Sequence, residues 1–204
     1  MTPLVLAGGL GRRLVSFVGD CTVVRVGSAV AVLVVGAGLA GGVGFAGSKP
    51  LAPCRLAAFA LRLGPKVSEA TGQHTDALRL VNRSGSSCSL DGYPSVRLSD
   101  GGGHVPFLIR DGGDQMITSH RPTSFVVRPG RSAWVLLNHY RCDQRDLRGA
   151  TTVRIGVAGH KRAGAVSLRI TDQDRVLSYC GPGDPGSIVA VSPFEPTFRA
   201  GFSG

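Results

Sequence analysis

Chemistry in this chain would have to come from five histidines, a scatter of acids, many serines and five cysteines. His74, His104, His120, His139 and His160 stand 16 to 30 residues apart, so no two have the short spacing of paired metal ligands. Asp100, Asp111, Asp114, Asp172 and Asp174 lie in Gly-rich or turn-forming stretches. Such oxygen-rich loops suit calcium, but none approaches the spacing of a calcium-binding loop, and turn formation by Asp is the simpler expectation. Among the serines, Arg83-Ser84-Gly85-Ser86-Ser87 lacks the flanking pattern of a nucleophile elbow. The expectation is a protein that is not an enzyme, with no catalytic, cofactor-binding or metal-ligating residue assigned. Two alternatives stay open: an envelope hydrolase whose site assembles only in three dimensions, and a carrier of a metal or small ligand. The carrier would need at least three of the histidines or loop acids to converge.

Cysteine chemistry is more telling. Cys54, Cys88, Cys142 and Cys180 are isolated from one another, without the C-x-x-C spacing of a zinc site. Two disulfides are the expectation, and three pairings are possible. Cys54–Cys88 with Cys142–Cys180 is favoured, because each joins neighbours in sequence and closes a loop of 35 or 39 residues. Each bridge would contribute roughly 3–4 kcal/mol by restricting the unfolded chain. Cys21 stands apart, before an apolar run.

That run, Val26 to Ala46, holds 21 residues without a charge. As a helix it would extend roughly 32 Å, the thickness of a bilayer's hydrocarbon. Arg12, Arg13 and Arg25 precede it and Lys49 follows, which places the N-terminus in the cytoplasm and everything beyond residue 50 outside. Gly44-Phe45-Ala46 offers the small residues a signal peptidase reads, so the run is either a retained anchor or a signal cleaved before Gly47. Val35 to Gly41 also satisfies the G-x-G-x-x-G dinucleotide pattern, but Pro50 stops any following helix early and no strand–helix alternation follows. The same glycines serve a membrane helix, where Gly38 and Gly42 form a G-x-x-x-G pair. The chain thus divides into a basic cytoplasmic segment (1–25), the anchor or signal helix (26–46), a linker (47–53), an extracytoplasmic domain (54–193) and a tail (194–204).

The exported part reads as all-β. Apolar residues alternate with polar ones at Leu78 and Leu80, Val96 and Leu98, Phe107 and Ile109, and Phe125 and Val127. The pattern returns at Ala133, Val135 and Leu137, then Val153, Ile155 and Val157, then Val166, Leu168 and Ile170, and closes with Ile188–Val191. Turn-forming stretches separate these runs, as at Asp100-Gly101-Gly102-Gly103 and Pro129-Gly130. About eight short strands in this arrangement predict an immunoglobulin-like β-sandwich. Only Leu56 to Leu63 has helical tendency, and Trp134 is expected to pack at an inter-sheet or edge position.

Charge adds a direction. The whole chain has 23 Lys+Arg against 13 Asp+Glu, a net +10. From residue 51 onward the count is 19 to 12, so +7 faces the outside. Arg79, Arg97, Arg154 and Arg169 each fall at the polar phase of a strand, forming a candidate anion-binding face. Guanidinium suits phosphate and carboxylate geometry. The expected partners are anionic envelope polymers or lipids, or another envelope protein. Nucleic acid is not expected, because basic and aromatic residues do not interleave.

Three stretches carry a resemblance: Ala70-Thr71-Gly72-Gln73-His74, Leu78 to Ser84, and Cys88-Ser89-Leu90-Asp91-Gly92-Tyr93-Pro94-Ser95-Val96. With the hairpin Val127 to Ala133, the third and fourth cysteines and Val191-Ser192-Pro193, the chain resembles the exported actinobacterial domain-of-unknown-function family numbered forty-two thirty-two. The resemblance covers roughly residues 54 to 193, with Cys-x-Leu-x-Gly-Tyr-Pro its most specific part. It implies a secreted, membrane-tethered or lipid-anchored β domain of the cell envelope, and brings no catalytic residues with it. Leu51-Ala52-Pro53-Cys54 departs from a sound lipobox through the Pro before Cys54. Gly92-Tyr93-Pro94 itself reads as a tight turn, with Tyr93 covering the edge of the core.

Overall fold

The computed structural model describes residues 50–68, 72–142, 147–160 and 163–203. The N-terminal segment, the Val26 to Ala46 run with its glycine motifs, and Cys21 lie outside the described residues. Among the described residues no helix is long and apolar enough to cross a membrane.

Strands, numbered in chain order, form two larger sheets. The first has the order β1 (Phe59–Ser68), β2 (Gln73–Asn82), β8 (Ser132–Tyr140), β13 (Ile188–Val191) and β6 (Leu108–Asp111). Its pairs are antiparallel except β13 with β6, which run parallel. The second has the order β11 (Ala165–Arg169), β10 (Thr152–Val157), β4 (Pro94–Asp100) and β5 (Gly103–His104), antiparallel throughout. Two short ribbons complete the fold: β3 (Cys88–Leu90) with β7 (Phe125–Val127), and β9 (Arg148–Ala150) with β12 (Leu177–Tyr179).

Alternation explains the layering. Leu78, Leu80, Val135, Leu137, Val189 and Val191 from the first sheet join Leu98, Val153 and Ile155 from the second in a single buried core. Burying each such side chain contributes roughly 1.5–3 kcal/mol relative to exposure. The architecture is all-β, consistent with a β-sandwich. Every one of the eight expected runs carries a strand, and five further strands (β1, β3, β5, β9, β12) appear beside them.

The stretch read as helical is where the expectation fails. Leu56–Ala58 makes one 3₁₀ turn, and Phe59 begins the long strand β1. Helix propensity is a weak prior, and here pairing with β2 from Phe59 to Ser68 overrides it. The register slips between Leu63 and Lys66, so Gly64 and Pro65 sit in a bulge of this edge strand, where a residue without an N–H is tolerated.

The tail also differs from expectation. Phe194 is buried in the main core, and residues 195–203 fold back over the first sheet. Ala77, Ile117, Leu136 and Ala190 form a second apolar cluster there, with Trp134, Phe198 and Phe202 packed against it. Trp134 is half-buried on this outer face, opposite Glu195. A buried polar network pins the 114–118 loop beneath the tail. Asn138 accepts from Thr75 Oγ1 at 2.8 Å and donates through Nδ2 to Gln73 Oε1 at 2.9 Å and Asp114 Oδ2 at 2.7 Å.

Both disulfides join neighbours in sequence. Cys54 is bonded to Cys88 and Cys142 to Cys180, with Cα–Cα distances of 4.9 and 5.3 Å. The first fastens the entry of the domain to β3, and the second fastens the end of β8 to the end of β12.

Candidate anion-binding face

Strand β10 presents Val153 and Ile155 inward, fully buried, so Thr152, Arg154 and Gly156 must point the other way. The register then fixes their neighbours. Arg154 lies directly between Ser167 of β11 and Arg97 of β4, and Thr152 lies between Arg169 and Ser99. Arg97, Arg154 and Arg169 therefore occupy one exposed face of the four-stranded sheet. A depression of about 410 Å³ opens there, lined by Ser95, Val96, Arg97, Arg154, Gly156 and Ala165. Gly156 keeps its floor open, since a Cβ at that position would stand 2.6 Å from Ser95 Oγ.

Two guanidinium groups directly opposite one another repel, because cross-strand Cβ atoms are about 4.5–5.5 Å apart. Among the described residues no carboxylate pairs with either. Among the described residues the ion pairs are Arg148–Asp100, Arg175–Asp76 and His120–Glu195. Asp100, at the end of β4 on the same sheet, is already engaged. It accepts from Arg148 Nε and Nη2, both at 2.8 Å, and from Gly102 N at 2.7 Å. The Arg148 bond, more than any other cause, holds its carboxyl down at about 2. The face is thus cationic and has room for an incoming anion.

Arg79 does not join it. This residue lies on the other sheet, opposite Arg62 on one side and Trp134 on the other. Its Nε donates to Ser132 Oγ at 2.8 Å, and its guanidinium stands 5.7 Å from the centre of the Trp134 ring. The four-arginine face expected from the sequence is therefore three arginines on one sheet and one on the other.

A scan against family models matches residues 54–195 to a family described as "Domain of unknown function (DUF4232)". This chain belongs to the DUF4232 family. No curated protein and no solved structure matches it. In this DUF4232 chain the segment from Cys88 to Pro94 is a joint of the fold. Cys88 is disulfide-bonded, Leu90 is buried, and Gly92 turns the chain at φ +83°. The Gly92 carbonyl accepts from Phe194 N at 3.0 Å, so the segment holds the start of the tail.

The histidines and acids are dispersed among structural tasks. Asp114 accepts from Met116 N and Ile117 N, and Asp172 from Asp174 N, as turn-forming residues do. His74 and His139 do come together, their rings 5.9 Å apart, and burial pushes both imidazoles below their ordinary value. Among the described residues no three His, Cys, Asp or Glu side chains gather to hold a metal. The pair nearest to acid–base chemistry is one the sequence reading passed over. His120 Nε2 stands 3.1 Å from Glu195 Oε1. Burial pushes the Glu195 carboxyl up, and the Arg121 carbonyl at Nδ1, with help from Glu195, raises His120. The Glu195 side chain, at the start of the tail, is only 4% exposed, which makes the pair a clasp between the 114–120 segment and the tail.

A cavity of about 700 Å³ was also invisible in the sequence. It surrounds Cys54 and is lined by Arg55, Ser89, Asp91, Ser124 and His160 among others. These come from four separate segments, and no spacing rule links them.

Proposed function

We propose that this chain is a non-catalytic binding module of the bacterial cell envelope. In this reading it is an immunoglobulin-like β-sandwich outside the membrane, tethered by Val26 to Ala46 or secreted after cleavage near Ala46. It engages anionic envelope polymers or lipid headgroups through Arg97, Arg154 and Arg169. The observation that carries the reading is the Arg97–Arg154 pair, two like charges placed in direct register and in no ion pair among the described residues. An arrangement that costs stability in the free protein is repaid when a phosphate or carboxylate bridges it. The two disulfides support an oxidising compartment.

The test is retention of the full-length protein, in neutral detergent, on phosphocellulose. Elution should require salt, and Arg97→Glu/Arg154→Glu should elute at clearly lower salt, because exposed charge interactions weaken within a Debye length of about 8–10 Å. Identical elution of the double variant and the parent would sink the reading.

A further inference from the structure

A second cationic groove lies on the other sheet, between the β7–β8 turn and the C-terminal tail. Its volume is about 410 Å³, and Arg79, Arg128, Arg131, Ser132, Trp134 and Pro196 line it. Three arginines line it, and among the described residues no acid lines it and none of the three belongs to an ion pair. Two features distinguish it from a solvated basic patch. Arg79 is held in place, its Nε bonded to Ser132 and its guanidinium set against the indole of Trp134, so binding there costs less side-chain entropy. A tight turn sets the backbone of Arg128 and Arg131, in which Arg131 N bonds the Arg128 carbonyl at 3.0 Å and Gly130 adopts φ +72°. Trp134 and Pro196 add apolar wall between the charges.

Charge and apolar wall in one groove demand a ligand with both. A bare phosphate would use only the arginines, and a neutral sugar only the wall. We propose that this groove binds an acidic saccharide, a pyranose bearing a carboxylate or phosphate, with the anion held by Arg79, Arg128 and Arg131 and the C–H face of the ring against Trp134 and Pro196. The site shares with the reading above only an anionic partner, and it uses none of the same residues.

The chain contains a single Trp, so indole emission reports this groove alone. In the full-length protein, trigalacturonate or glucose 6-phosphate at low salt should shift that emission saturably, whereas maltotriose should not. Arg128→Glu/Arg131→Glu changes two exposed turn residues away from the core and should weaken the response about tenfold or more, the loss of roughly one charge-assisted bond. Arg97→Glu/Arg154→Glu should leave it unchanged, which separates failure here from failure of the other face. The proposal is overturned if neither acidic sugar moves the emission, or if maltotriose moves it equally. It is also overturned if a short oligothymidylate binds more tightly than either sugar, or if the turn variant, with its melting temperature intact, responds like the parent.

Discussion

Strands β8 and β10 each send alternate residues away from the same core, yet what those residues meet is opposite. On β10 the outward Arg154 is exposed on a surface rich in arginine, with Thr152 half-buried and Gly156 buried beside it. On β8 the outward positions Leu136 and Asn138 are as buried as the core itself, at 0% and 1% exposure, because the 114–120 segment and the tail form a roof over them. Along β8 the first sheet is therefore covered on both sides, while at β10 the second is covered on one. The roofed part of the first sheet holds the fold together, whereas the outer side of β10 is left open to a partner.

The strongest way to break this contrast is to unfasten the roof. Asn138→Ala deprives Thr75, Gln73 and Asp114 of buried partners, each costing about 1–3 kcal/mol when left unsatisfied. A total loss of about 3–5 kcal/mol is expected in urea denaturation. A loss below about 1 kcal/mol would mean that water serves the network equally well and that the roof is not fastened there. Phe198→Ala should cost less, about 1–2 kcal/mol, because this ring is only half-buried. It stands 5.7 Å from Trp134 and 5.1 Å from Phe202, so its removal should also shift Trp134 emission to the red.

How much of this contrast was legible follows from the two strand sequences. Val153-Arg154-Ile155 alternates strictly, and both its strand and its polar face followed from that. Trp134-Val135-Leu136-Leu137 breaks alternation, which is the mark of a strand covered on both faces, but a two-sheet expectation offers no second layer to cover it. The roof itself is built from segments without periodicity, so only tertiary packing reveals it. Register has the same character. Alternation identifies Arg79, Arg97, Arg154 and Arg169 as outward-facing, but which sheet each strand joins depends on pairing between residues as distant as Arg97 and Arg154. The cysteine pairing was easier, because few alternatives exist. Glu195 was missed because it follows the last apolar run, where a tail was the natural reading.

A smaller effect separates the roof from the sheet beneath it by pH. His74 and His139 have folded values below the unfolded 6.5, chiefly through burial. Their contribution is therefore present above pH 6.5 and lost as pH falls through the folded values. His120 is raised above 6.5, first by the Arg121 carbonyl, and contributes in the opposite sense: fully below 6.5, and lost as pH rises through its folded value. Glu195, raised from 4.5 by burial, acts in the same direction as His120 over its own range. Replacing His139 with Gln should flatten the loss of stability between pH 7 and pH 5, whereas His120→Ala should steepen it. Thermal melts across that window decide the matter, and parallel profiles for the two variants would show that the regions are not opposed.

The smallest expected effect lies on the open face, and its sign is what matters. Arg97→Ala and Arg154→Ala remove exposed groups that make no ion pair among the described residues, so each should change stability by no more than about 0.5 kcal/mol. Because the two residues stand directly opposite, the first substitution should be slightly stabilising at low salt, by roughly 0.2–0.5 kcal/mol. The second should then gain nothing further, since no like charge remains across the strand. At 1 M salt, with a Debye length of about 3 Å, the gain should vanish. A surface maintained for packing would behave in the reverse way, each truncation destabilising regardless of salt through loss of the aliphatic stem. Destabilisation of more than about 1 kcal/mol, insensitive to salt, would place these arginines with Asn138 and Phe198 among the groups that hold the molecule together and leave the anion-binding face without its physical basis.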